Sequence, residues 1–122
     1  MNNRLFDKIV LGTEVFSGSW GVKFSSSEIK KILNSGYENG IRELDTAPIY
    51  GKNIHDVEKL LGQALQGKKL KYKINTKFTI KKDFLKDRKL LLKDLKNQLN
   101  RSLKSLKKDT IDNYFFHSGT DE

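Results

Sequence analysis

Short apolar runs that favour β-strands alternate with longer amphipathic stretches along the chain. The apolar runs contain Ile9, Ile41, Ile74 and Ile111, which follow one another at intervals of 32, 33 and 37 residues. An interval of this size holds one strand, one helix and two loops. Strands separated by helices of this length pair in parallel through right-handed crossovers. The spacing therefore predicts an α/β protein made of repeated strand–helix units.

The predicted strands are residues 8–11, 40–45, 72–77 and 111–116. Three helices are predicted between them. The first begins at a capping box formed by Ser25 and Glu28. The second carries the apolar stripe Val57, Leu60, Leu61, Ala64 and Leu65, with Gly67 placed to end it. The third carries Leu91 or Leu92, then Leu95, Leu99, Leu103 and Leu106. We expect these stripes to pack on the sheet; a coiled coil with a partner is the alternative for the third.

The composition limits the class of protein. No apolar run approaches the roughly 20 residues of a membrane span. The segment Met1–Asp7 lacks the long apolar stretch of a signal peptide, and cysteine is absent. These features favour a cytoplasmic protein without a membrane span. The net charge of +9 comes mainly from lysine, with only four arginines, so we expect a solvated lysine-rich face. A nucleic-acid surface is the alternative, and we predict no nucleic-acid partner. A positive field could attract an anionic cofactor or substrate.

Four polar residues stand where the predicted strands end. Asp45 closes the second strand and Tyr50 lies in the loop after it, Lys77 closes the third strand, and His117 directly follows the fourth. The carboxyl ends of parallel strands meet at one edge of the sheet, so we expect these side chains to gather there. A tyrosine, whose pKa is ordinarily about 10, holds its proton at neutral pH and can give it to a carbonyl oxygen. A neighbouring lysine stabilises the phenolate that results.

Each residue also has an ordinary interpretation. Tyr50 could simply pack in its loop, and Asp45 could cap the next helix. Lys77 could be one more surface lysine, and His117 a hydrogen-bonded interior histidine. The functional interpretation therefore depends on the four residues occurring together, with Asp45 and Tyr50 set in the sequence Asp-Thr-Ala-Pro-Ile-Tyr-Gly.

The sequence resembles the aldo-keto reductases from Lys8 to Ser118, most specifically in residues 45–51. The other segments that carry the resemblance are Leu11-Gly12-Thr13 with Gly18 and Gly21, residues 38–42, Leu60–Leu65, Ile74–Lys77, Ser102–Leu106, and residues 109–117. The resemblance implies the N-terminal half of a (β/α)8 TIM barrel.

The resemblance also implies a reaction, the NADP-dependent reduction of a small-molecule aldehyde or ketone, or the reverse oxidation. Tyr50 would be the general acid, tuned by Lys77 and Asp45, and His117 would orient the carbonyl. Thr13 and Asp45 would approach the nicotinamide of NADP(H), and Trp20 would wall the substrate pocket. We predict no metal site.

The length of the chain fits only part of such a barrel. The chain has 122 residues, whereas a complete (β/α)8 barrel has about 250. We therefore expect one partial domain over residues 1–122 that is truncated after the fourth strand, with most cofactor contacts supplied by the other half. Such a domain would expose two sheet edges and invite self-association. A non-catalytic half barrel with a binding or structural role is the alternative function.

Overall fold

Helices and strands alternate as the spacing predicts. The computed structural model describes residues 3–67 and 69–120; residues 1–2, 68 and 121–122 of the predicted domain lie outside the described residues. The strands are β1 (Val10–Gly12), β2 (Glu43–Asp45), β3 (Lys73–Lys81) and β4 (Asn113–Thr120), and the helices are α1 (Ser26–Glu38), α2 (Asp56–Leu65) and α3 (Arg88–Leu106). Short 3-10 segments occupy Asn3–Lys8, Glu14–Ser17 and Lys82–Lys86. None of the helices in the described ranges has both the length and the apolar character needed to cross a bilayer.

The four strands form one parallel sheet in the order β1-β2-β3-β4. Helix α2 contacts both α1 and α3, so successive helices lie side by side on one face of the sheet. A doubly wound sheet would instead reverse its strand order and cover both faces with helices. The consecutive order and the single helical layer are those of the N-terminal part of a (β/α)8 barrel, which confirms the predicted fold class.

The core lies between the sheet and the helical layer. Leu44 and Ile74 project from β2 and β3 and are almost fully buried against Leu33 of α1 and Leu61 of α2. Leu106 completes this cluster from the last turn of α3. Alternate residues of each strand face the helices, so the strand residues between them face the interior of the barrel, where the polar groups gather.

Helix α1 begins as the sequence predicts. The Ser25 hydroxyl accepts a hydrogen bond from the Glu28 backbone N–H at 3.2 Å, and the Glu28 carboxylate accepts one from the Ser25 N–H at 2.7 Å. Two of the otherwise unpaired N–H groups at this helix end are therefore satisfied. The capping box is confirmed.

The third and fourth strands differ from their predicted bounds. Strand β3 does not end at Lys77 but continues to Lys81, and β4 begins two residues later than predicted and runs through His117. The physical reason is mutual pairing, because β3 and β4 remain paired from Asn75 with Asn113 to Lys81 with Thr120, across one register shift between Phe78 and Thr79. Lys77 and His117 thus lie inside their strands, and the prediction that they stand at strand ends was wrong.

A glutamine of α3 supports the extended part of β3. Strand β2 ends with Asp45 opposite Asn75, so later residues of β3 have no β2 partner. The Gln98 side-chain amide accepts a hydrogen bond from Thr79 N (3.1 Å) and donates one to Thr79 O (2.9 Å). It also donates to Asp94, which fixes its orientation. Gln98 therefore satisfies two backbone groups that would otherwise need another partner.

Gly62 allows α2 and α3 to approach closely. A Cβ atom at this position would lie 2.4 Å from the Ser105 carbonyl oxygen and 2.9 Å from the carbonyl carbon of Leu106. Both atoms belong to backbone, which cannot rotate away as a side chain can. The contact between these two helices therefore requires glycine at position 62.

We expect Gly62→Ala to lower the free energy of unfolding by about 1–3 kcal/mol or more, because the added methyl group forces α2 away from α3. Urea unfolding followed by circular dichroism measures the change. Gln63→Ala, at the exposed neighbouring position, is the matched control and should change stability little. Equal stability of Gly62→Ala and Gln63→Ala would show that the helices tolerate the extra volume.

Candidate active site

A lysine–aspartate pair joins β2 to β3. Asp45 is the last residue of β2, and Lys77 lies two residues beyond the β3 partner of Asp45. The Lys77 ammonium donates hydrogen bonds of 2.7 Å to the Asp45 carboxylate and 2.7 Å to the Thr46 carbonyl oxygen. The side chains of Lys77 and Asp45 are only 14% and 32% exposed. The ammonium is therefore held in one place and keeps little contact with solvent.

Tyr50 reaches the same ammonium group from the loop between β2 and α2. The Lys77 Nζ atom lies 3.3 Å from the Tyr50 hydroxyl oxygen and 5.1 Å from the centroid of its ring. The loop is fixed by hydrogen bonds from Tyr50 N to Ala47 O and from Val57 N to Tyr50 O. The Tyr50 hydroxyl therefore lies within hydrogen-bonding distance of the Lys77 ammonium group.

His117 lies beside Tyr50 at an irregularity of the sheet. Phe78 pairs with Phe116 and Thr79 with Ser118, so His117 is the extra residue of a β-bulge. Its ring centroid is 6.3 Å from that of Tyr50, and the two rings are nearly perpendicular at 84°. Bulges redirect side chains and occur often beside active sites. The His117 Nδ1 atom is buried and has no hydrogen-bond partner among the described residues.

Thr13 and Trp20 follow β1 on the other side of Asp45. The Thr13 hydroxyl and N–H both donate to the Asp45 backbone oxygen, at 2.8 and 3.0 Å, and Thr13 is fully buried. Trp20 is 69% exposed. Both residues border a cavity of about 270 Å³ whose lining is Gly12, Thr13, Glu14, Val15, Trp20, Asp45 and Tyr50.

A second cavity, of about 260 Å³, is bordered by Lys77 and His117. The β2–α2 loop, the end of β3 and helix α3 form its walls. Its lining is Pro48, Ile49, Ile54, His55, Lys77, Phe78, Thr79, Lys81, Asp94, Gln98, Arg101 and His117. The structure therefore brings Asp45, Tyr50, Lys77 and His117 together between two cavities. Within residues 3–67 and 69–120, no group of three or more acidic, histidine or cysteine side chains is placed to hold a metal ion.

Comparison with known proteins identifies the family of this chain. The model of the aldo/keto reductase family matches residues 8–120. The chain belongs to the aldo-keto reductase family. No curated protein matches it in a direct sequence comparison.

Solved structures of aldo-keto reductases share the fold. A Pseudomonas aeruginosa protein assigned to the family is 26% identical with a TM-score of 0.69, over 92% of this chain and 40% of its own length. The holo form of a Bacillus halodurans aldo-keto reductase is 25% identical with a TM-score of 0.66, over 93% of this chain and 36% of its own. A Klebsiella pneumoniae aldo-keto reductase in complex with NADPH is 22% identical with a TM-score of 0.68, over 93% and 36%. The chain thus spans about two fifths of the length of these proteins.

This aldo-keto reductase chain also contains a buried carboxylate that the sequence analysis missed. Glu58, in the first turn of α2, is fully buried. Its carboxylate accepts a hydrogen bond of 2.7 Å from the Thr76 hydroxyl and contacts the His55 ring at Nδ1. The signal that could have revealed it is its spacing, because Glu58 stands three and seven residues before the buried Leu61 and Leu65, on the apolar stripe.

The charge of Glu58 affects the pKa of Tyr114 on β4. Burial is the largest cause that raises the pKa of Tyr114 to about 12, and the carboxylates of Glu58 and Asp94 add to the effect, while Arg101 opposes it. The Tyr114 hydroxyl is buried and has no hydrogen-bond partner among the described residues. The phenol is therefore held in its neutral form.

The raised pKa of Tyr114 predicts a loss of stability in alkali. The folded state keeps a proton that the unfolded state releases near pH 10, so the contribution is complete below about pH 10 and is lost as pH rises toward 12. We expect Tyr114→Phe to lose less unfolding free energy than the unsubstituted protein across this window. Urea unfolding at stepped pH measures the difference. Parallel pH profiles of Tyr114→Phe and the unsubstituted protein would contradict the prediction.

A double-mutant cycle tests the Asp45–Lys77 pair without any assay of activity. We expect Asp45→Asn and Lys77→Met to show a coupling energy of about 1–2 kcal/mol in urea unfolding, because the charged hydrogen bond is partly shielded from water. A cycle that pairs Lys77→Met with Glu43→Gln, a carboxylate on the same strand, should be additive. Additivity in both cycles would mean that the pair contributes no interaction of its own.

Proposed function

We propose that this chain supplies the proton-transfer half of an NADP-dependent oxidoreductase that reduces an aldehyde or ketone. The observation that carries the proposal is the position of the Lys77 ammonium, 3.3 Å from the Tyr50 hydroxyl and 2.7 Å from the Asp45 carboxylate. An ammonium group in this position stabilises the negative charge that forms on Tyr50 as its proton is transferred. Asp45 keeps the ammonium group aimed at Tyr50.

In the proposed reaction, hydride adds to the carbonyl carbon while the Tyr50 hydroxyl gives its proton to the carbonyl oxygen. A C–H and an O–H bond form, the carbonyl π bond is lost, and Tyr50 becomes a phenolate beside Lys77. Solvent then returns a proton to Tyr50. The reverse sequence oxidises an alcohol. We assign His117 to the carbonyl oxygen because its ring stands edge-on to the Tyr50 ring, with centroids 6.3 Å apart, and borders the same cavity as Lys77.

The residues around Asp45 fit the nicotinamide end of the cofactor. Thr13, Trp20, Asp45 and Tyr50 border one cavity, so a flat ring held there would lie beside the proton donor. Reduced nicotinamide supplies the hydride when bound, and NADPH is bound in the related Klebsiella pneumoniae structure. We propose that Thr13 and Asp45 approach this ring and that Trp20 walls the substrate side.

Replacing Tyr50 tests the proposal. In the longest product containing this sequence that can be isolated from its source cells, Tyr50→Phe should lower the rate of NADPH consumption with simple aldehydes by about 10²–10⁴-fold, because only the proton donor is removed. The affinity for NADPH, measured by fluorescence titration, should stay unchanged. Tyr37→Phe is the matched control. Full turnover by Tyr50→Phe would refute Tyr50 as the acid.

A non-catalytic half barrel is the second candidate function. The observation that favours it is the exposure of Phe115 (48%) and Phe116 (57%) on β4, an edge strand of the described sheet. Exposed apolar residues on an edge strand favour association with a second copy of the chain. Sedimentation of the purified 122-residue chain distinguishes the two functions: a stable dimer without NADPH binding supports the second, and NADPH-dependent reduction by that chain refutes it.

A further inference from the structure

The first turn of α2 is connected to both partners of the proposed proton transfer. The N–H of Val57 donates to the carbonyl oxygen of Tyr50 at 3.2 Å, and the N–H of His55 donates to the carbonyl oxygen of Pro48 at 2.6 Å. These bonds fix the loop that carries Tyr50 to the helix. Glu58, in the same turn, receives the hydrogen bond from Thr76, the residue directly before Lys77 on β3.

Burying the carboxylate of Glu58 is energetically unfavourable. A fully buried carboxylate costs several kcal/mol unless hydrogen bonds and opposite charge compensate for the lost water. His55 and Thr76 supply two partners, and the amino end of α2 adds favourable partial charge. A leucine would continue the apolar stripe without this cost. Packing alone therefore does not account for a carboxylate at position 58.

Unlike a leucine side chain, the carboxylate forms hydrogen bonds of defined direction and length. One oxygen accepts the Thr76 hydroxyl and the other contacts His55, so Glu58 sets the distance between β3 and the end of the Tyr50 loop. Hydrogen bonds hold this distance within a few tenths of an ångström. Catalytic groups need such support, because a displacement of about 1 Å can cost about 100-fold in rate.

We infer that Glu58 is a positioning residue that holds the Tyr50 hydroxyl and the Lys77 ammonium at hydrogen-bonding distance by joining His55 to Thr76. Glu58 itself does not touch the reacting atoms. The inference rests on the proposed function for its catalytic meaning, but the geometry it concerns can be measured in the 122-residue protein without any turnover.

The test replaces the partner of Glu58 and measures the Tyr50–Lys77 contact. Thr76→Val keeps the shape of the side chain and removes the hydroxyl, whereas Thr76→Ser keeps the hydroxyl. Nuclear Overhauser contacts between the Lys77 ε-methylene group and the Tyr50 ring report the distance. We expect Thr76→Val to lose at least half of this intensity and Thr76→Ser to keep it. The packed pair Tyr37–Tyr72, whose rings lie 5.2 Å apart, should stay unchanged in both variants.

The outcomes separate the inference from the proposed function. Loss of the contact in Thr76→Val with rescue by Thr76→Ser supports it; an unchanged contact in Thr76→Val, or equal loss in both variants, overturns it. If Thr76→Val does not fold, His55→Gly removes the other partner at a position whose φ of 70° suits glycine, and an intact Lys77–Tyr50 contact there overturns the inference as well. Unchanged turnover in Tyr50→Phe would refute the proposed chemistry. The positioning role of Glu58 would still be decided by the Lys77–Tyr50 contact in the Thr76 variants.

Discussion

The parallel register between β2 and β3 is the constraint on which the site depends. It places Asp45 opposite Asn75 at the point where β2 ends, while β3 continues. Lys77 lies on the same face of β3 as Asn75, two residues further along, so its long side chain can reach back to Asp45. A shift of one residue would turn Lys77 toward the helices and leave the carboxylate alone. Tyr50 and His117 then join the Asp45–Lys77 pair, whose position the strand register determines.

The extension of β3 beyond β2 allows β4 to bring His117 into the site. Because β4 follows β3 to its end, His117 is brought alongside the Tyr50 loop, and the bulge at Phe78 and Thr79 adjusts its direction. Gln98 occupies the backbone groups of Thr79. The length of β3 is therefore maintained by a neighbouring strand on one side and by a side chain of α3. Without this extension, His117 would have no ordered strand to hold it near Tyr50.

The sequence predicted the parts of this arrangement that depend on local pattern. The strand–helix spacing predicted the sheet, and neighbouring parallel strands do bring Asp45, Tyr50, Lys77 and His117 together, although Lys77 and His117 lie inside their strands and not at the ends. Strand lengths were predicted less well because the extension of β3 depends on pairing with a segment about 40 residues away and on Gln98, neither of which leaves a local pattern. Glu58 was missed because its hydrogen-bond partner Thr76 lies on another element, although its spacing places it on the apolar stripe of α2.

The two faces of β3 carry two separate polar networks, and this explains why a residue of the helical layer can affect the site. Successive side chains of a strand point to opposite faces. Lys77 faces the barrel interior and binds Asp45, whereas Thr76 faces α2 and binds Glu58. The same turn of α2 holds the loop of Tyr50. This helix therefore contacts both the loop that carries Tyr50 and the strand, β3, that carries Lys77. A polar group on the helical face thus sets a distance on the interior face, although no side chain passes through the sheet.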